Sequence, residues 1–131
     1  MIIAALDVGL KRVGVALCLN NKIVIPQTPI LRKNRLQASV DTDAFLKEWS
    51  VETLIVGLPN GSSKDEMERR IRYFVSLLKH ECEIVFVDED FSSHEAKELT
   101  KSVFKQKKDG KIDSMAAAVI LNRYLDTMKK D

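Results

Sequence analysis

AALDVGLKRVGVAL, residues 4–17, places two apolar segments on either side of a short polar turn. The first segment belongs to a nearly continuous apolar run that starts at Met1, which is typical of a strand buried on both faces. The polar LKR predicts a turn, and VGVALCL predicts a second strand. The first strand carries one carboxylate, Asp7, and an uncompensated charge in an apolar strand is costly. The stretch therefore predicts a hairpin in which Asp7 has a structural or functional role that offsets the cost of its charge.

Strands and helices alternate along the rest of the chain. KIVIP, residues 22–26, predicts a third antiparallel strand, and residues 27–38 predict an exposed connection. A helix is predicted over about 40–49, followed by a strand in TLIVGLP and a helix that a Ser63–Glu66 capping box opens. A strand in EIVFVDED comes next. It is followed by a helix that a Ser92–Glu95 capping box opens and by a last helix from about Asp113. Such alternation favours parallel pairing with right-handed crossovers. The prediction is an α/β fold: a five-stranded mixed sheet with helices on both faces, as one domain over 1–131.

Composition limits the class of protein and its partners. The chain has 131 residues, of which 45% are hydrophobic and 31% are charged, as in an ordinary globular domain. No run approaches the roughly 18 apolar residues of a membrane-spanning helix, and the N-terminus does not resemble a signal peptide. We therefore expect a cytoplasmic protein without a membrane partner.

Positive charge is concentrated in three local groups although the net charge is only +2. These groups are Arg32, Lys33 and Arg35; Arg69, Arg70 and Arg72; and six lysines between Lys97 and Lys111 that include Lys105, Lys107 and Lys108. Each group alone is consistent with a solvated surface. Together they indicate a protein that binds nucleic acid through its phosphates.

Acidic residues stand where strands end or helices begin. Asp7 lies near the end of the first strand, Asp88 and Glu89 end the last strand, and Asp113 opens the last helix. Sites in open α/β sheets lie outside the carboxyl ends of the strands, so these acids can converge. Converging carboxylates repel one another, and Mg²⁺ or Mn²⁺ offsets that cost. The alternatives are local: a turn aspartate, acids near a helix N-terminus and a helix N-cap.

Four motifs resemble the YqgF family of RNase H-like proteins. They are LDVGLKRVGVAL, LIVGLP, VDEDFSSHEAKE and KIDSMAAAVILNRYLD, which occur in the family's order between residues 6 and 126. Members of this family carry the names of Holliday-junction resolvases or pre-16S rRNA nucleases.

The resemblance implies an RNase H-like fold and a metal-dependent nuclease. It implies that Asp7, Glu89 and Asp113 are the catalytic acids and metal ligands, with Asp88 supporting them. It also implies that Lys11 and Arg12 contact phosphate or support the turn.

Three positions depart from the family pattern. Leu10 stands where a Thr or Ser is usual, and Asp90 stands where an Arg is usual. The loop after Pro59, NGSSKDE, is also shorter than usual. These departures leave the acids in place and bear on substrate recognition.

Three functions follow as hypotheses. The first is a nuclease that processes the 5′ end of pre-16S rRNA or resolves branched DNA, as a monomer or a homodimer, and acts on free nucleic acid or on ribosomal particles. The second is an actin-like nucleotide-binding protein, which the length disfavours because such proteins need two domains. The third is a non-catalytic nucleic-acid-binding factor of ribosome assembly, which the anion Asp90 makes more credible.

Overall fold

A computed structural model describes residues 1–20, 23–59, 64–88 and 111–129. Six strands and three helices lie within these ranges: β1 Ile3–Val8, β2 Arg12–Cys18, β3 Val24–Pro26, β4 Ile30–Leu31, α1 Arg35–Glu48, β5 Thr53–Leu58, α2 Lys64–Ser76, β6 Glu83–Asp88 and α3 Lys111–Lys129. The predicted alternation of strands and helices is therefore confirmed in these parts of the chain. The predicted helix from Ser92 to about Phe104 lies outside the described residues.

One mixed sheet joins all six strands. The order is β3-β2-β1-β5-β6, with β4 paired to β2 beside the end of β3. The strands of the opening meander are antiparallel, and β5 is parallel to both β1 and β6. The prediction of five strands was wrong by one, because β4 falls in the segment that was interpreted as an exposed connection. Its two residues are too few to show an alternating pattern, and they are held by pairing with Arg12 and Val13.

The two faces of the sheet carry separate cores. Alternate residues of β1, such as Ala4 and Leu6, pack with α1 and α2, whereas Ile3 and Ala5 pack with α3. Every residue of β5 is buried, as expected for a central strand covered on both sides. The prediction of helices on both faces is thus confirmed. No helix in the described parts of the chain is long and apolar enough to cross a bilayer.

Helix α1 begins five residues before the position that its apolar pattern predicted. Asn34 caps it: the Asn34 Oδ1 accepts from the Gln37 N–H at 2.8 Å, and the Gln37 Oε1 accepts from the Asn34 N–H at 3.3 Å. This reciprocal capping box satisfies donors that a helix start leaves without partners. The sequence signal was Asn followed three residues later by Gln, ahead of the apolar positions.

Replacing Asn34 with Ala should lower the free energy of unfolding by about 1 kcal/mol, because it removes the acceptor for the Gln37 N–H. Urea unfolding followed by circular dichroism measures this change. Asn34→Ser, which keeps a capping oxygen, is the matched control and should recover most of the loss. Equal stability of all three proteins would show that the cap contributes nothing.

Candidate active site at the carboxyl ends of the strands

Asp7 lies near the carboxyl end of β1, as the sequence predicts. It pairs with Gly14 of β2 and is half-buried. Strand alternation puts it on the same face as Ile3 and Ala5, the face that α3 covers. A half-buried carboxylate between a sheet and a helix has few waters available to stabilise its charge. The position therefore suits an acid that binds a cation.

Asp88 reaches the same edge from a different strand. It is the last residue of β6, pairs with Leu58 of β5 and is exposed. Because β5 separates β6 from β1, the backbones of β6 and β1 lie about 10 Å apart. Asp88 also borders a cavity of about 200 Å³ between β6 and α3. Asp88 thus lies at the predicted edge, but not directly beside Asp7.

A buried hydrogen bond fixes the start of α3 over this edge. The Ser114 Oγ accepts from the Val15 N–H of β2 at 3.1 Å, and Ser114 is fully buried. Val15 pairs with Leu6, the residue before Asp7. Along β2, Val15 lies between the residues that pair with β4 and the residues that pair with β3, and Ser114 contacts it there.

Small side chains let α3 approach the sheet closely. Ala117 and Ala118 pack into the core shared with β1 and β2. The backbone of Asp113, one residue before Ser114, is therefore held near the end of β1.

The structure places Asp7, Asp88 and the backbone of Asp113 near one edge of the sheet and does not test whether the predicted acids meet. Asp7 and the backbone of Asp113 share the edge, whereas Glu89 lies outside the described residues. No three His, Cys, Asp or Glu side chains form a metal-sized group in the part of the chain that the structure describes. The proposed set of Asp7, Glu89 and Asp113 stays a prediction.

The structure describes the side chains of some of the predicted phosphate-binding cations and not of others. Lys11 and Arg12 are exposed at the turn between β1 and β2. Lys111 is the first residue of α3, and Lys105, Lys107 and Lys108 lie outside the described residues. Of the predicted phosphate-binding side chains, the structure therefore locates Lys11 and Arg12, both at this turn.

Gly9 shapes this turn. Its N–H donates to the Arg12 carbonyl oxygen at 3.0 Å, and a Cβ at this position would lie 2.7 Å from that oxygen. No side chain fits without moving backbone, so the tight turn needs glycine. Leu10 follows it and is 61% exposed, so it occupies a surface position rather than the core.

Arg32 is a residue of this site that sequence reasoning did not single out. Its Nη1 donates to the Gly9 carbonyl oxygen at 2.8 Å, and its own N–H donates to the Lys11 carbonyl oxygen at 2.9 Å. Burial and then the neighbouring guanidinium groups of Arg35 and Arg70 lower the pKa of Arg32. In sequence it was only one member of a basic group, and its contact with the turn depends on how β4 pairs.

A larger cavity, of about 1060 Å³, lies at the opposite edge of the sheet. Asp43, one of the three acidic residues that line it, accepts hydrogen bonds from the N–H groups of Lys79 at 2.8 Å and His80 at 3.0 Å. The His80 Nε2 lies 2.8 Å from the Val51 carbonyl oxygen. These contacts tie α1 and the connection between α1 and β5 to the connection between α2 and β6. This cavity has a structural explanation and is not the candidate active site.

The RuvX family model, described as Holliday junction resolvase, matches residues 1–127 of this chain. The chain belongs to the RuvX family. This confirms the resemblance to YqgF proteins, because the two names denote one family.

Curated relatives within the RuvX family cover nearly the whole chain. A Sulfurovum sp. (strain NBC37-1) protein is 60% identical over 126 residues, which are 95% of this chain and 98% of the relative. A Campylobacter lari protein is 52% identical over 121 residues, which are 92% of this chain and 94% of the relative. Both carry the name "Putative pre-16S rRNA nuclease". The match is thus between chains of similar length.

Solved structures share the fold of this RuvX protein. T. thermophilus RuvC in complex with a Holliday junction substrate superposes with a TM-score of 0.56 at 12% identity, covering 98% of this chain and 96% of that one. The fowlpox virus Holliday junction resolvase gives 0.59 at 14% identity, covering 97% and 99%. At these identities the likeness concerns the fold alone, and it confirms the predicted RNase H-like architecture.

Proposed function

We propose that this protein is a divalent-cation-dependent nuclease that hydrolyses phosphodiester bonds in the 5′ region of precursor 16S rRNA. The observation that carries the proposal is the Ser114–Val15 hydrogen bond, which holds the start of α3 over the end of β1. That contact brings Asp7 and the backbone of Asp113 to one edge of the sheet. The names of the two curated relatives support the choice of substrate.

The residues at this edge fit Mg²⁺ or Mn²⁺. Both ions prefer carboxylate oxygens, and Asp7 offers a half-buried carboxylate whose charge a cation would stabilise. We assign the ligand set to Asp7, Glu89 and Asp113, with Asp88 in support. When bound, such ions lower the pKa of a water and stabilise the leaving oxygen of a phosphodiester.

The turn between β1 and β2 has a separate part in this proposal. Lys11 and Arg12 are exposed two residues and three residues past Gly9, beside the end of β1. Their charges would hold the phosphates that flank the bond to be cut. Lys105, Lys107, Lys108 and Lys111 are proposed to extend this contact. The proposed partner is RNA, free or in ribosomal particles, and the proposed location is the cytoplasm.

Cleavage of branched DNA is the second candidate function, because the matching family is described as Holliday junction resolvase. Symmetric cutting of a four-way junction needs two active sites and therefore a dimer. Sedimentation at working concentration measures the oligomeric state. A monomer that cuts RNA favours the first function, and a dimer that cuts junctions in symmetric pairs favours the second.

The direct test incubates the purified protein with three labelled substrates: a 5′-extended 16S precursor, a duplex RNA and a four-way DNA junction. We expect the precursor to be cut with Mn²⁺ or Mg²⁺ and to stay intact in EDTA. Failure to cut the precursor with either ion would overturn the proposal. Binding of the precursor without cleavage, and without a response to metal, would instead indicate a non-catalytic assembly factor.

A further inference from the structure

Three arginines and a tyrosine form a continuous surface beside the β1–β2 turn. We call Arg32, Arg35, Arg70 and Tyr73 the arginine surface. The Arg35 guanidinium stacks over the Tyr73 ring at 4.8 Å, and the Arg32 guanidinium lies 5.5 Å from the centre of the buried Phe74 ring. Two of the basic groups in the sequence, from the β4–α1 connection and from α2, thus meet in space.

The positive charge of this surface is only partly neutralised. Arg70 pairs with Glu66 at 2.7 Å. Among the residues that the structure describes, neither Arg32 nor Arg35 has a carboxylate oxygen within 4.0 Å. The guanidinium groups of Arg35 and Arg70 act on Arg32 as like charges. Clustered like charges disfavour the free protein and are relieved when an anion binds.

The position of Arg35 adds to the positive potential of the arginine surface. It is the first residue of α1, whose first turn contains no acidic residue. The N-terminus of a helix carries partial positive charge, so a cation there is electrostatically unfavourable. Arg35 therefore does not serve the dipole of its own helix, and the contact that the structure shows for its guanidinium is the stacking on Tyr73 of α2.

The arginine surface adjoins the candidate active site. The Arg32 Nη1 contacts the Gly9 carbonyl oxygen at 2.8 Å, and Gly9 lies two residues past Asp7. Two residues of chain span at most about 7 Å. Arg32 lies against Phe74 on the α1–α2 face of the sheet, whereas Asp7 lies on the α3 face. A polymer that contacts Arg32 would therefore have to cross the β1–β2 turn to reach Asp7.

We propose that the arginine surface binds the phosphodiester backbone of single-stranded RNA on one side of the bond to be cut. This inference rests on the proposed nuclease function and adds the path of its substrate. The three guanidinium groups supply the charge, and Tyr73, which is 51% exposed, supplies a ring on which a base can stack. A duplex keeps its bases stacked inside, so the tyrosine favours a single strand.

The test measures binding of a fluorescent single-stranded RNA by anisotropy, in EDTA so that metal-dependent cleavage cannot interfere, at several salt concentrations. Arg35→Gln should weaken binding about fivefold at 0.1 M salt and reduce the slope of log K against log salt by about 0.7, as for one lost phosphate contact. Tyr73→Ala should weaken binding about tenfold. Arg35→Gln also removes the exposed stacking contact with Tyr73, so its thermal unfolding should stay close to that of the parent without matching it. The smaller salt slope is the readout that a merely structural arginine would not change.

Lys47→Gln is the matched control. It removes the same charge from the last turn of the same helix, about 18 Å from Arg35. We expect its affinity to stay within twofold of the parent. Parental affinity of both Arg35→Gln and Tyr73→Ala would overturn the proposal, as would equal weakening by Lys47→Gln or no measurable binding by the parent.

The same proteins separate this inference from the nuclease function. If the parent cuts RNA while Arg35→Gln and Tyr73→Ala bind and cut as well as the parent, the surface is wrong and the nuclease function stands. If the parent binds RNA through this surface but never cuts it with Mn²⁺ or Mg²⁺, the nuclease function is wrong and the surface stands.

Discussion

Asp7→Asn should reduce metal-dependent RNA cleavage by at least about a thousandfold, which corresponds to about 4 kcal/mol of transition-state stabilisation. The replacement keeps the size of the side chain but removes the negative charge that a divalent cation needs. The rate is measured as single-turnover cleavage of the precursor RNA at saturating Mn²⁺. Chain folding is checked by urea unfolding of the same preparation.

Asp126→Asn is the control for Asp7→Asn. Asp126 is exposed on α3, away from the end of β1, and its replacement removes one negative charge from the protein as a whole. We expect this variant to cut at the parental rate. If Asp7→Asn retains cleavage within tenfold of the parent while folded, Asp7 has no part in the chemistry and the half-buried carboxylate serves the turn instead.

Ser114→Ala should lower the free energy of unfolding by about 2 kcal/mol, because the buried Val15 N–H would lose its acceptor. Cleavage should fall by roughly tenfold or more as well, since a small misplacement of catalytic groups is costly and Asp113 precedes this serine. Urea unfolding and single-turnover cleavage measure the two effects.

Thr127→Ala is the matched control on the same helix. The Thr127 Oγ1 donates to the Tyr124 carbonyl oxygen at 2.7 Å at an exposed position, so its loss should change stability by less than about 0.5 kcal/mol. Parental stability and activity of Ser114→Ala would mean that the contact does not hold α3 in place. Lost stability with parental cleavage would mean that Asp113 is positioned by other contacts or is not used.

The hydrophobic pattern predicted five of the six strands that the structure describes, and it predicted the place of Asp7. The near-continuous apolar run of β1 predicts a strand covered on both faces, and β1 is buried apart from the half-buried Asp7. TLIVGLP predicts a strand, and the structure shows it as the fully buried β5. Asp7 stands out in that pattern because it is a charge in an apolar run. The pattern of α1 was less informative, since its apolar positions begin only after the capping box at Asn34 and Gln37.

Contacts between distant parts of the chain could not be predicted. Val15 and Ser114 are 99 positions apart, and nothing in either local sequence indicates that they meet. The contact of Arg32 with Gly9 depends on the pairing of the two-residue strand β4 with β2, which leaves no periodic signal. Glu89 and the lysines at 105, 107 and 108 remain predictions, because they lie outside the described residues.

The central claim is that Asp7, Glu89 and Asp113 together bind divalent cation. A crystal structure of the Mn²⁺-loaded protein, with the ions located by their anomalous scattering, tests it most directly. We expect Mn²⁺ at the carboxyl end of β1, with oxygen ligands from these three residues. An Asp7 carboxylate without Mn²⁺ at saturating concentration, or Mn²⁺ bound only away from β1, would contradict the claim.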